Sequence, residues 1–231
     1  MRYKHDYVRK YSQKYIVKVF IELEMNKIAK VYKEIRKHCR NEIIEIGAVK
    51  VDDSNQIIDS YKTYVRPVYN DKISHVVQDL TGISMEMVQE ALPLQEAMDQ
   101  FVSWCGEDCT VYSWSDNDLN QIRTEFAAKE LPVSDRLSRM MENWVNYQKE
   151  FEAMFHLEKS ISLEKAVEII DLDFSGQIHD AMFDTQNTAQ IYIQSQESES
   201  FNRIQAMVQD LFSEHTFSMG NLFDFKDLKF T

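Results

Sequence analysis

Tyr15-Ile16-Val17-Lys18-Val19-Phe20-Ile21-Glu22-Leu23-Glu24 is the stretch on which the fold turns. β-Branched and aromatic residues crowd it, the composition of a strand set inside a sheet. Side chains alternate along a strand, so Glu22 and Glu24 share one side, roughly 6–7 Å apart along its axis. Acids are seldom buried without a partner, so two at the end of so apolar a strand call for a reason. A solvated strand end is one reading. A site that works through charge is the other.

Outward from that strand, Lys27 to Arg40 has helical periodicity. Ile28, Val31, Tyr32, Ile35 and Cys39 fall on one stripe, and Lys27, Lys30, Lys33, Lys37 and Arg40 on another. An ordinary amphipathic helix with a solvated basic face has this pattern, and so does a phosphate-binding face beside the acidic pair. Asn41 to Asp52 reads as a second strand. A turn at Asp53-Ser54-Asn55 leads into a third from Gln56 to Arg66, closed by Pro67, and the three strands form a meander. Short helices are expected over Ser74–Leu80 and Ser84–Ala91, and a longer one from Pro93 to Cys105, ending near Gly106.

Thr110-Val111-Tyr112-Ser113-Trp114 is a short buried-type strand, after which Ser115-Asp116-Asn117-Asp118 opens the helix Leu119–Lys129. Asp116 suits the N-cap; Asp118 lies at or inside the helix start. Asp135 to Glu158 is mostly helical with a short strand around Asn143–Tyr147, and Ser162–Ile170 makes another helix. Gly176-Gln177-Ile178-His179-Asp180 leads into a helix whose small residues Ala181, Thr185, Thr188 and Ala189 form a narrow stripe. That stripe permits close packing on a sheet and holds Asp184 near the strand ends. Beyond Gln196 the chain is Ser/Glu-rich, Phe201–Phe212 has helical spacing, and an aromatic tail runs to Thr231.

A chain of 231 residues, 44% hydrophobic and 12% aromatic, is long and apolar enough to bury a core. No apolar run approaches the roughly 20 residues that span a bilayer, and Met1–Lys14 is too polar for a signal peptide. Three cysteines (Cys39, Cys105 and Cys109) without metal-ligand spacing lead us to expect a reduced, cytoplasmic setting. The net charge of −12 argues against nucleic acid until its distribution is considered. Residues 1–40 hold 12 of the 26 Lys and Arg against four acids, a net +8, and the remainder carries −20. A basic lip on an acidic body is expected. Five glycines and no Gly-rich phosphate loop argue against a dinucleotide-binding fold.

The acids therefore fall in an order: Glu22-x-Glu24 on the first strand, Asp118 after the fourth, His179 and Asp184 at a late helix. Four carboxylates and a His at adjoining strand ends suit two hard divalent cations, Mg²⁺ or Mn²⁺, which prefer oxygen ligands. Such a pair activates water and stabilises the leaving oxygen in phosphodiester hydrolysis.

On these residues the sequence resembles the DEDD exonucleases of the His-containing (DEDDh) type. Phe20 to Asn26 matches the first motif, Ser113 to Asp118 the second, and His179 to Asp184 with Asn187-Thr188-Ala189 the third. Asn41 to Val49, Tyr64 to Pro67, Leu80-Thr81-Gly82-Ile83 and Ile161 to Ala166 add to the match, which looks most like the Eri-like and KapD-like branch. The resemblance implies an α/β chain of ribonuclease H-like fold: a mixed five-stranded sheet flanked by helices, with a C-terminal helical extension. Its parts would be a basic arm (1–14), an exonuclease domain (15–195) and the extension (196–231). It implies metal-dependent 3′→5′ removal of nucleotides from single-stranded RNA or DNA ends. Glu22, Glu24, Asp118 and Asp184 would be metal ligands and His179 the general base, with Glu24 also counted as catalytic. Met25, Asn26, Leu80 and Thr81 would line the terminal-nucleotide pocket, with Trp114 beneath it unless it is a core aromatic. One departure stands out: the family's first motif is Asp-x-Glu, and Glu22 occupies the Asp position. A binding or regulatory module with a decayed site is the competing reading.

Overall fold

The computed structural model describes residues 17–170 and 180–212. The expected basic arm, the segment carrying Gly176 and His179, and the tail from 213 onward lie outside them.

In chain order the elements are β1 (Val17–Lys27), α1 (Ile35–His38), β2 (Asn41–Val51), β3 (Ile57–Arg66), α2 (His75–Thr81) and α3 (Met85–Val88). There follow β4 (Leu92–Pro93), α4 (Leu94–Cys105), β5 (Cys109–Ser113), α5 (Asn117–Ala128), α6 (Asp135–Glu142) and β6 (Trp144–Asn146). The described chain closes with α7 (Tyr147–Met154), α8 (Leu163–Ile169), α9 (Ala181–Gln196) and α10 (Ser198–Phe212). The sheet runs β4-β3-β2-β1-β5-β6. β1, β2 and β3 form the antiparallel meander, and β5 and β6 continue parallel to β1. The mixed sheet expected from sequence is present with six strands instead of five. The addition is β4, whose two residues pair with the end of β3; a pair so short and containing a proline leaves no period-2 signal.

β1 is central, and its alternation divides the core. Val19, Ile21 and Leu23 face α4, α5 and α6, in a cluster with Phe101, Ile122, Phe126 and Met140. Phe20 points the other way, into a cluster with Trp114, Phe151, Ala189 and Tyr192. Glu22 and Glu24 share its parity and so lie on the α9 side. The lengths agree. From Phe20 to Glu24 a strand advances roughly 13 Å, and from Tyr192 back to Asp184 a helix advances roughly 12 Å. A helix that seats Tyr192 against Phe20, with ring centroids 5.2 Å apart, therefore carries its N-terminal turn toward the two glutamates.

Lys27–Arg40 is the one substantial correction. The β1–β2 ladder extends to Lys27 opposite Asn41, and Ile28 N–H donates to the Arg40 carbonyl at 2.9 Å. Both ends of the segment are thereby committed to pairing, and only Ile35–His38 turns as a helix. Ile28 and Cys39 are buried, but Val31 of the same stripe is 77% exposed. No common basic helix face exists, although Lys27, Lys30, Lys33, Lys37 and Arg40 are all exposed. Ladder hydrogen bonds between long strands outweighed a local period of 3.6.

Candidate active site

The site forms where β1 and β5 part company. Their parallel pairing ends at Phe20 opposite Tyr112, so the next amides on the facing edges have no ladder partner. Carboxylates take them. Leu23 N–H donates to Asp118 Oδ1 at 3.1 Å, and Trp114 N–H donates to Glu22 Oε1 at 3.1 Å. Each acid is thus fixed to the other's strand region. Asp118 lies in the first turn of α5, where the helix dipole favours a negative charge, and is 3% exposed. Glu24 follows two residues after Glu22, immediately before a bulge that shifts the β1–β2 register between Glu24 and Met25. Bulges of this kind re-aim side chains at a strand end.

Asp184 arrives on the first turn of α9. The small-residue stripe packs as expected, and its partner is a strand glycine. A Cβ on Gly47 would lie 2.5 Å from the Ala181 carbonyl carbon and 2.7 Å from Met182 N. Thr185 Oγ1 donates to the Gly47 carbonyl at 2.9 Å. Asp180 caps the helix, accepting from Met182 N–H at 2.9 Å. Its other oxygen meets Lys62 Nζ at 2.8 Å, and the same ammonium lies 3.2 Å from Glu45. Glu45 sits directly across the ladder from Glu24, a like-charge pairing that would be unfavourable without that lysine.

Electrostatics bind these acids into one unit. Burial, then the charge of Asp118, holds Glu22 well above the usual carboxylate range. Burial pushes Glu24 up to about 8, with Asp184, Glu45, Asp180 and Asp118 adding to the rise. Asp118 is raised to about 7, again by burial first, although its own amide, the Leu23 amide and a hydrogen bond with Glu22 oppose the shift. Glu45 is also raised by burial, against the pull of Lys62. Burial and mutual repulsion raise these carboxylates above their ordinary range, and acids destabilised as anions in this way are of the chemical type that could hold a hard divalent cation. Among the described residues, no three His, Cys, Asp or Glu side chains already converge as a closed metal cage. The carboxylates adjoin one another without closing on one point.

The remaining expectations divide. Asp116 does occupy the N-cap of α5, but its side chain makes no capping bond and pairs with Lys149 at 2.6 Å. Ser115 Oγ takes the Asn117 amide in its place. Trp114 is a core aromatic: its indole is 6% exposed, rests on Tyr147 and Phe151, and donates to the Ile161 carbonyl. Only its backbone reaches the site. Asn26 is buried as well. Its amide donates to Lys72 O and accepts from Ser74 N–H, pinning the start of α2 to β1. Met25 is half-buried against the core, Leu80 is 45% exposed, and Thr81 bonds Val77 O and Ile83 N–H around Gly82, whose φ is +72°. His179 lies outside the described residues. Sequence reasoning did not single out Gly47, Lys62 or Glu45, and it read Asp180 as the acidic start of its helix, where it does stand. A glycine inside a strand does signal close approach of another backbone; the lysine contacts depend on a register that sequence leaves open.

Known proteins resemble the chain over most of its described length. An exonuclease family model (RNase_T) matches residues 19–192. ERI1 exoribonuclease 2 of Xenopus laevis is 28% identical over 179 residues, covering 67% of this chain and 25% of the frog protein. The 3′-5′ exoribonuclease 1 of Mus musculus is 27% identical over 165 residues, covering 66% of this chain and 46% of the mouse protein. The chain thus spans about a quarter to a half of the length of these relatives. In three dimensions it resembles the nuclease domain of 3′hExo, a DEDDh family member bound to rAMP. The TM-score is 0.68 at 20% identity, covering 80% of this chain and 93% of that domain. The ribonuclease H-like architecture and the Eri-like resemblance read from the motifs are borne out. Among the described residues, no helix is long and apolar enough to cross a membrane.

Proposed function

The chain belongs to the exonuclease family, and from that membership we propose that it is a metal-dependent 3′→5′ exonuclease acting on single-stranded RNA or DNA. The observation that carries this reading is the set of four carboxylates, Glu22, Glu24, Asp118 and Asp184, brought from three elements to one strand end. They would hold two divalent cations, Mg²⁺ or Mn²⁺, which when bound supply an acidified water and neutralise charge on the phosphate. The chain's own residues do the rest. The amides of Leu23 and Trp114 fix Asp118 and Glu22, so little reorganisation is needed when substrate arrives. His179 accepts the proton of the attacking water at an imidazole nitrogen, a role suited to a group whose ordinary pKa of about 6.5 lies near operating pH. Met25, Leu80 and Thr81 border the terminal nucleotide. The exposed cations Lys27, Lys30, Lys33, Lys37 and Arg40 follow β1 out of the site and take the phosphates behind it.

Glu22 in place of the family's Asp fits a working site. The longer side chain has its own anchor, the Trp114 amide, and does not hang loose. A 5′-labelled RNA and the matching DNA, incubated with Mg²⁺ or Mn²⁺ and with a chelator control, test the proposal. Stepwise shortening that the chelator stops is expected. Intact oligonucleotide in both metals, with binding retained, would instead identify a binding module.

A further inference from the structure

Two tyrosines with no part in the exonuclease reading stand just past the carboxylates, one of them on a tightly held segment. On β1, Asn26 has the parity of Glu22 and Glu24 and lies roughly 7 Å beyond Glu24 along the strand. Directly across the ladder from it is Glu42. Both are buried, and both reach for the connection between β3 and α2. Glu42 accepts from Val68 N–H at 2.6 Å, Tyr69 N–H at 2.9 Å and Asn70 Nδ2 at 3.0 Å. Asn26 holds the other end through Lys72 O and Ser74 N–H. Lys129 pairs with Glu42 at 2.9 Å, and its ammonium stands 5.7 Å from the centre of the Tyr69 ring. Tyr69 is therefore fixed from beneath.

Tyr32 comes from the loop that joins β1 to β2 and packs on Tyr69, with ring centroids 5.0 Å apart and planes tilted by 57°. It stays 40% exposed, and Val31 and Val68 beside the pair are exposed as well. Cations surround this apolar patch. Lys27, Lys30, Lys33, Lys37 and Arg40 are exposed along the β1–β2 connection, and Lys72 on the segment held by Asn26. Of the acids interspersed with them, Glu34 is paired with Lys37 at 2.6 Å, and Asp71 adjoins Lys72.

We propose that Tyr32, seated on Tyr69, is a stacking platform for one unpaired base of the substrate strand, upstream of the 3′-terminal nucleotide. The proposal rests on the reading of the chain as a single-strand exonuclease. An exposed aromatic ring among cations suits an occupant that alternates flat apolar bases with phosphates, and single-stranded nucleic acid is that occupant. Stacking uses the face of a base and leaves its edges unread, so the platform holds the strand without selecting its sequence. The buried Glu42 then has a purpose beyond packing. A ring whose backbone is already fixed loses little freedom when a base settles against its partner.

The test is an abasic scan read by binding, with chelator present so that nothing is cut. The full chain is titrated by fluorescence anisotropy with a 5′-labelled single-stranded oligonucleotide, and with copies carrying one abasic residue at successive positions from the 3′ end. Wild type should lose affinity on the order of tenfold when the abasic residue falls at one or two adjacent internal positions. Tyr32→Ala should lose a similar factor on the intact strand and nothing further at those positions, whereas Tyr32→Phe should bind as wild type does. Tyr32→Leu, which keeps an apolar contact with Tyr69, should repeat the Tyr32→Ala pattern with an unchanged Tm. Affinity of Tyr32→Ala equal to wild type would overturn the proposal. So would a loss that is the same with a base or an abasic residue at every position, which would make the ring pair a structural clasp. In either case a wild type that still shortens oligonucleotides in Mn²⁺ leaves the exonuclease reading in place; a wild type that neither binds nor shortens them removes both.

Discussion

Gly47→Ala is the substitution that most sharply probes how the helix bearing Asp184 is held. The new methyl would stand 2.5 Å from the Ala181 carbonyl carbon, 2.7 Å from its oxygen and 2.7 Å from Met182 N. All three are backbone atoms, so no side chain can swing aside. Restoring ordinary contact requires α9 to withdraw by about 1 Å, since carbon atoms pack at roughly 3.5–4 Å. Overpacking of this kind costs about 1–3 kcal/mol, or on the order of 2–10 °C in Tm for a chain of this size. The kinetic effect should be larger than the loss of stability suggests. Asp184 moves with the helix, and a displacement of about 1 Å in an active site costs on the order of 10²-fold in rate. Circular dichroism melts give the first quantity. Initial rates on a 5′-labelled oligonucleotide across substrate concentrations give the second, and the loss should fall on kcat with KM little changed. Thr185→Ala removes the 2.9 Å hydrogen bond to the same carbonyl without pushing, and should cost far less rate. A Gly47→Ala protein with wild-type kcat and Tm would refute the argument that this contact sets the position of Asp184.

The other expectations concern charge. Glu24 at about 8 and Asp118 at about 7 lie above their unfolded values near 4. Their contribution to the metal-free protein is fully present below pH 4 and is lost as pH rises through 7 to 8. Tm measured with chelator should therefore fall across that interval, and millimolar Mn²⁺ should abolish the fall; parallel curves would count against metal binding by these acids. Lys62→Met strips the cation from Glu45 and Asp180, so it should lower both Tm and kcat, with Lys62→Arg restoring much of each. Equal kcat in all three proteins would remove Lys62 from the positioning role. Reversing Lys27, Lys30 and Lys33 to Glu should weaken oligonucleotide binding irrespective of base sequence and flatten its salt dependence; an unchanged slope would mean that these side chains are merely solvated.

The sequence made β1, the meander and α9 legible because each carries its own periodicity. Alternation along 15–24 and 41–52 sets which residues face which side, and the small residues of 181–189 mark a helix that must approach a backbone closely. The order of the four acids along the chain was equally plain. What escaped was decided across strands. Local spacing could not reveal that Lys27 and Arg40 are claimed by the ends of a ladder, so the segment between them read as one helix. Nor could it show that Lys62 on β3 reaches past Gly47 to Glu45 and Asp180, because strand register is a property of the assembled sheet. Asp116 was placed correctly at its helix end but for an incomplete reason: its partner is Lys149, from a helix thirty residues on.

The proposed activity requires Glu22, Glu24, Asp118 and Asp184 to act together on one phosphodiester. The direct measurement compares wild type with Glu22→Gln, Glu24→Gln, Asp118→Asn and Asp184→Asn on a 5′-labelled single-stranded oligonucleotide in Mn²⁺, each protein first shown to be folded. Wild type should give a ladder of products shortened one nucleotide at a time, and each variant should leave the substrate intact. A ladder undiminished in any of the four, or no ladder from wild type, would contradict it.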